Sequence, residues 1–445
     1  MKQAMMGKRT AIAATSLLTS IALLAGCGAK QQVEEQEPKQ AESPKPVTIT
    51  VFNPSNYSDY LWENLWVEPI KKKYPHITLV NMKNEKGNSL AERVMANNVP
   101  DIIQGQGVKA TFEYSELGLL EDLTPLIQKH KIDLNQVEPA FMNSLKKDPN
   151  DSAVYGLPVT QNNAALFYNK SLFDKFGVPY PKDGMTWDEI YELARKMTRT
   201  EAEVKYRGLD FHMESLFNNN QMSLPFIDNK TDKAIVQTDG WKTFFTSLKK
   251  FYDIEGNNPG ALPNVFNPFL KDQTVAMFVV SNIFSPLIEA TQAGLNWDLV
   301  TMPTYSTGAK TGIQPAVVGL FVSSKSQHKD EALQVIAHLM SSEVQTQRSK
   351  IGEPSVLKNA DIKKTFGSEM PHSKGRSFAS FVSSTPAPMS NSVTKYDAVA
   401  ITEMVRKFKE FAFNGKDVNT CPEKEIKQVS RNRELRGVPA RMKAG

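Results

Sequence analysis

Between residues 46 and 103 the chain alternates strand and helix signals, and this alternation limits the fold class before any motif is read. Residues 46–53 (PVTITVFN) form a β-branched run of strand type. Residues 59–74 place Leu61, Leu65, Val67 and Ile70 near helical spacing. A second short strand is expected at 77–80 (ITLV), a helix at 90–97, and a third strand at 100–103 (PDII) that enters a turn containing Gly105 and Gly107. Strand, helix, strand, helix, strand is the α/β pattern with parallel pairing.

Helical patterns follow at 122–130 and 139–147, and then Gly156 and Pro158 frame an extended break. A second set of elements begins with a strand at 164–168 (AALFY) and helices at 170–176 and 187–197. Thr186 with Glu189 three residues on makes a capping box for the latter helix. Residues 269–280 pass from helix to strand, 297–302 and 316–323 are two further strands, and 330–340 is helical. No internal repeat of solenoid length is present.

The first 46 residues belong to neither set. Lys2, Lys8 and Arg9 precede an apolar run from Ala11 to Ala25, which closes on Leu24-Ala25-Gly26-Cys27. A charged start, a short apolar stretch and small residues at a cleavage point have the anatomy of a secretory signal. The last four residues resemble a bacterial lipobox, which implies cleavage before Cys27 and acylation of its thiol. Residues 1–26 are therefore expected to be a lipoprotein signal peptide, with the protein held at the extracellular face of the cell membrane by lipid. Residues 27–46 are polar, with Pro38, Pro44 and Pro46, and are expected to form a disordered tether.

What remains is long enough for two domains or one bilobal unit. Lys+Arg 53 against Asp+Glu 48 leaves a weak formal charge of +5, and no basic face carries interleaved aromatics, so nucleic acid is not indicated. With Cys27 acylated, Cys421 has no partner for a disulfide.

Several stretches resemble the extracellular solute-binding proteins of family 1, the maltose-binding-protein-like sugar receptors of carbohydrate ABC importers. They are Pro100-Asp101-Ile102-Ile103, then Tyr155-Gly156-Leu157-Pro158-Val159 followed by Leu166-Phe167-Tyr168-Asn169-Lys170-Ser171-Leu172-Phe173. Thr186-Trp187-Asp188-Glu189, Ala276-Met277-Phe278 and Gly352-Glu353-Pro354-Ser355 complete the set. The resemblance implies a two-lobed periplasmic-binding-protein-like α/β fold of type II, each lobe a mixed sheet flanked by helices, with a hinge between them. On that basis residues 47–159 and 285–322 are assigned to lobe 1, and 160–284 and 323–445 to lobe 2. The expected crossings lie at 158–162, just after 280, and at 322–325. The implied function is capture of a sugar or oligosaccharide between the lobes and delivery to the permease subunits of an importer. A monomer without cofactor is expected.

Sugar recognition needs aromatic planes for C–H faces and amides or charged groups for hydroxyls. The loop after the first strand offers Asn53, Tyr57 and Trp62, and the tip of the third strand offers Gln104, with Gln106 beside it. Gln161 and Asn162 sit at the first expected crossing. Asn282 and Phe284 stand where the family often carries a Gly-Pro-Trp whose Trp stacks on sugar. Trp66, Trp187, Trp241 and Trp297 read as core, and the polar run 218–221 is a further candidate for the cleft.

The six histidines show no metal-type spacing, no G-x-S-x-G is present, and Asp188 and Glu189 point apart on a helix. No catalytic residue or metal ligand is therefore assigned. A receptor of the same fold for a non-sugar solute is the alternative, and an extracellular carbohydrate-active enzyme ranks below it. Near the C-terminus, residues 415–420 (GKDVNT) resemble the family's entry to a last helix, and the pattern fails at Cys421-Pro422. A frameshift near codon 421 is one explanation and a genuine solvated tail the other.

Overall fold

A computed structural model describes residues 44–415, apart from 56, 149, 232, 261–263 and 309. The expected signal peptide, Cys27, most of the tether and the segment after 415 lie outside the described residues.

Among the described residues, ten strands form two sheets. They are β1 (Val47–Asn53), β2 (Ile77–Lys83), β3 (Ile102–Gln106), β4 (Leu157–Asn162), β5 (Ala164–Asn169), β6 (Arg199–Glu201), β7 (Val204–Phe211), β8 (Val275–Ser281), β9 (Trp297–Thr301) and β10 (Ala316–Val322). The first sheet has the order β2-β1-β3-β10-β4 and the second β6-β7-β8-β5-β9. β1 runs parallel to β2 and β3, as the helical crossovers between them require. β10 is antiparallel to both β3 and β4, so the first sheet is mixed.

Local chemistry explains several elements. Ser89 and Glu92 form a reciprocal capping box at the helix Leu90–Met95. Thr186 and Glu189 do the same for Trp187–Met197, the Thr186 amide donating to Glu189 Oε2 at 2.7 Å. The helix Lys170–Phe176 ends on Gly177 at φ 64°, a conformation that glycine adopts without the steric cost of a Cβ.

The sheet pair β6–β7 carries no alternating apolar signal. β7 includes Arg207 and Asp210, and both are buried as an ion pair of 2.7 Å. Tyr252 also donates to Asp210, at 2.8 Å. The pairing is what lets two charged side chains enter a buried strand.

Each sheet has its own core. Ile49, Val51, Ile102, Leu320 and Phe321 belong to one, and Leu166, Phe211, Met277 and Phe408 to another. The chain passes from the first sheet to the second through Asn163 alone, between β4 and β5. The other two crossings differ from the expectation. Residues 285–302 remain with the second sheet, because β9 pairs with β5 and Phe284 packs against Trp297. Residues 323–362 remain with the first core, where Leu333, Ile336, Val356 and Ile362 pack. Returns thus occur between β9 and β10, and again after Ile362. The helix Asp397–Asn414 ends in the second core, through Met404 and Phe408.

Candidate functional site

Where the chain crosses between the sheets, a cleft of about 580 Å³ opens. One wall is the start of the helix Gly107–Glu116, with Gln106, Lys109, Phe112 and Glu113. No side chain caps that helix. Its first backbone N–H groups lack intrahelical acceptors and begin at residues that line the cleft. The opposite wall holds Asn218, Asn219 and Phe226, together with Thr394, Lys395 and Asp397. Asn162 and Gln314 lie at the crossings between the walls.

The polar lining mixes amides, hydroxyls and charged side chains. The Gln314 amide nitrogen donates to the Pro388 carbonyl at 3.2 Å, and its backbone N–H to the Asn219 carbonyl at 3.1 Å, which ties one crossing to the second wall. Lys395 and Glu116 meet at 3.1 Å, an ion pair between the second wall and the first. Burial, opposed by Lys109 and reinforced by Glu116, raises the Glu113 carboxyl above its ordinary range. Asp397 takes a hydrogen bond from Thr394 Oγ1 at 2.7 Å, and burial pushes its carboxyl up to about 6. All five tryptophans are buried, the most exposed being Trp62 at 9%. Aromatic surface in the cleft comes instead from the half-buried Phe112, while Phe226 lines it as a core ring 4.8 Å from Trp241.

The residues singled out from sequence fall into four places. Asn162 lines the cleft, and its Oδ1 accepts the Asn282 amide at 3.4 Å. Asn282 stands beside the cleft and turns its own Oδ1 to the Phe284 amide at 3.0 Å. Gln161 is buried at a separate small void with Glu138, Asn163 and Ser355, and its Oε1 has no protein partner.

Asn53, Tyr57 and Gln104 come together in the first lobe but not in the main cleft. The register of Phe52 with Ile103 makes Asn53 and Gln104 neighbours, and Gln104 Nε2 donates to the Tyr57 hydroxyl at 3.4 Å. Asn53 Nδ2 and Gln104 Oε1 are buried without a protein partner. Burial, reinforced by the Glu353 carboxylate, holds the Tyr57 phenol well above the usual tyrosine range.

Two aromatic assignments are corrected. Phe284 is a core residue at 3% exposure, its ring 4.8 Å from Phe378 and 5.0 Å from Phe381. The helix that begins at Phe284 turns this side chain into the second lobe, so it offers no face to a ligand. Trp62 stacks on Trp66 at 5.3 Å inside the first core. Its spacing of four from Trp66 on one helical run puts the rings side by side.

Glu113, Gln314 and Asp397 were missed. Gln314 belongs to an irregular segment, and Asp397 begins a helix whose apolar periodicity draws attention to its buried face. Neither has a local pattern that distinguishes a cleft residue from a surface one. Among the described residues no group of three or more His, Cys, Asp or Glu could hold a metal ion, and no helix is long and apolar enough to cross a membrane.

Residues 55–346 match the family model described as bacterial extracellular solute-binding protein. A multiple sugar-binding protein of Streptococcus mutans is 23% identical over 340 residues, covering 72% of this chain and 76% of the relative. Solved structures with the same fold include a cyclic α-maltosyl-1,6-maltose binding protein from Arthrobacter globiformis, with TM-score 0.68, 16% identity, and coverage of 87% of this chain and 100% of that one. An ABC substrate-binding protein from Listeria monocytogenes in complex with cycloalternan superposes with TM-score 0.64 and 19% identity, over 89% of this chain and 100% of that one.

Proposed function

This chain belongs to the bacterial extracellular solute-binding proteins, and on that premise we propose that it captures a sugar or oligosaccharide between its lobes and delivers it to the permease subunits of an ABC importer. The observation that carries this reading is the composition of the cleft. Gln106, Asn162, Asn218, Asn219 and Gln314 bring amides to its lining, and the half-buried Phe112 brings apolar surface. Amides both donate and accept, which suits hydroxyl groups that do the same. The exposed start of the helix at Gly107 adds backbone donors.

Closure of the lobes about the crossings at Asn163, between β9 and β10, and after Ile362 is the proposed capture step. Binding without turnover is the proposed mode, since no carboxylate pair is assigned to catalysis. Acylation of Cys27 would hold the protein, as a monomer, at the outer face of the cell membrane. Asn53, Tyr57 and Gln104 are proposed to act as a polar reserve behind the first wall and not as primary contacts.

A thermal-shift screen of the protein from about residue 29 onward, against mono- and oligosaccharides, tests the reading. A ligand at about 100 times its dissociation constant adds about 2.7 kcal/mol to stability, which raises the melting temperature measurably. A folded protein that ignores every sugar but responds to peptides or polyamines would favour the non-sugar receptor.

A further inference from the structure

Asp397 stands apart from the other charged groups of the cleft. Glu116 has Lys395 at 3.1 Å, and Glu113 has Lys109 beside it. Asp397 has only Thr394, through its hydroxyl and the turn that brings the two together. Among the described residues it has no basic partner. It begins the Asp397–Asn414 helix, yet no side chain caps that helix at the preceding residue, and the carboxyl is drawn into the cleft wall instead. The titratable and charged groups facing this region are Lys109, Glu113 and Glu116 from the Gly107–Glu116 helix and Lys395 from its own segment. On the neighbouring helix Met213–Asn218, Ser215 also lines the cleft, with His212 hydrogen-bonded to it at 2.7 Å and Glu214 next to that histidine.

A half-buried carboxylate without a counter-charge is unfavourable in the empty protein. The core side of the helix is made by Val399, Ala400, Met404 and Phe408, which leaves the Asp397 carboxyl on the cleft side with Thr394 as its hydrogen-bond donor. Its position becomes favourable when a ligand supplies donors. A carboxylate accepts from two hydroxyl groups at once, and it repels another anion.

We propose that Asp397 is a specificity-determining residue of the cleft, which accepts a pair of hydroxyls from a neutral sugar, or an amine from an amino sugar, and bars sugar acids and sugar phosphates. This rests on the sugar-capture reading above and narrows it. Glu113 on the opposite wall adds to the exclusion of anions, with Lys109 moderating it.

The sign of the stability effect follows from the raised carboxyl. An aspartate held above its unfolded value near 3.9 contributes most to folding below that value and loses the contribution as pH rises through about 6. Asn cannot lose a proton, so Asp397→Asn should raise the melting temperature by a few degrees at about pH 7.5 and leave the difference small or reversed at about pH 4.

The experiment compares wild type, Asp397→Asn and Glu113→Gln in thermal melts at both pH values. It then repeats the melts with maltotriose, a chitosan oligomer and an oligogalacturonate as neutral, cationic and anionic probes, alongside the wider neutral panel. The expected result is a more stable Asp397→Asn protein near neutral pH that no longer responds to whichever neutral sugar shifts the wild type, with no shift of wild type by the oligogalacturonate. A variant that melts lower than wild type near neutral pH would make Asp397 a structural residue and overturn the proposal. So would a shift by the anionic probe equal to that of a neutral sugar, or a neutral-sugar shift kept intact in Asp397→Asn. Silence of the wild type toward every sugar counts against the sugar-capture reading, and this proposal goes with it. A sugar response retained in the variant overturns this proposal alone.

Discussion

Replacing Phe284 with alanine separates a core role from a ligand role at the position where sequence alone favoured the ligand. The side chain is 3% exposed. Its ring lies 4.8 Å from Phe378, 5.0 Å from Phe381, and 5.7 Å from both Phe167 and Phe366. Truncating a buried phenylalanine costs about 3–5 kcal/mol in transfer and cavity terms. This site falls toward the upper end, because each lost aromatic pair adds about 0.5–1.5 kcal/mol beyond area. Urea unfolding followed by far-UV circular dichroism reads the loss. With a slope of about 3 kcal/mol/M, the midpoint should fall by about 1–1.7 M while the slope stays unchanged. A cycle with Phe378→Ala should show a coupling of about 0.5–1.5 kcal/mol. The affinity for a sugar found in the thermal screen should stay within about twofold of wild type, a change under roughly 0.5 kcal/mol. A variant as stable as wild type that has lost sugar binding would refute the core assignment and return Phe284 to the cleft.

Three further outcomes follow from the same contacts. Asn162→Ala removes an amide from the cleft lining and should weaken sugar binding by about tenfold or more, or roughly 1.4 kcal/mol, with little change in melting temperature; calorimetric titration reads the first and a thermal melt the second. The Lys395–Glu116 pair is 43% and 61% exposed, so its effect on closure should be at most about fivefold in affinity and should fade in high salt. Glu116→Gln should reproduce the high-salt affinity, Glu116→Lys should fall below it at low salt, and adding Lys395→Glu to the latter should restore the original salt dependence; an affinity indifferent to all of these changes would remove the pair from the closing motion. Asp210→Ala strips the partner from Arg207 inside β7 and should cost about 3–5 kcal/mol in denaturant unfolding, whereas a loss under about 1 kcal/mol would mean that water reaches the pair.

The first lobe was legible because its elements repeat a simple code. Val47 to Asn53, Ile77 to Val80 and Ile102 to Ile103 are β-branched runs between amphipathic helices, and they pair in parallel as such units do. The capping box at Thr186 was equally visible, since both of its residues lie within one turn. The strands β6 and β7 were not. Lys205, Arg207 and Asp210 read as solvent-facing until tertiary contact brings Arg207 and Asp210 together. The crossings were misplaced for a related reason: nothing near Val280 or Val322 announces which core the following helix will join, and that is decided by partners such as Trp297 for Phe284 and β10 for Leu333. Of the cleft lining, Asn162 was legible because the family resemblance puts a crossing at 158–162, and Gln106, Asn218 and Asn219 because they are polar residues just after a strand tip or in a polar run. Asp397 was not, because it lies 235 positions from Asn162 and only the fold makes the two part of one cleft.

The most direct test of the account is calorimetric titration of the folded wild-type protein with the sugar that most raises its melting temperature, with the mixture then analysed for released reducing ends. The account predicts saturable binding at one sugar per chain and an unchanged sugar afterwards. A folded protein that gives no binding heat with any neutral sugar, or one that hydrolyses the sugar it binds, would contradict it.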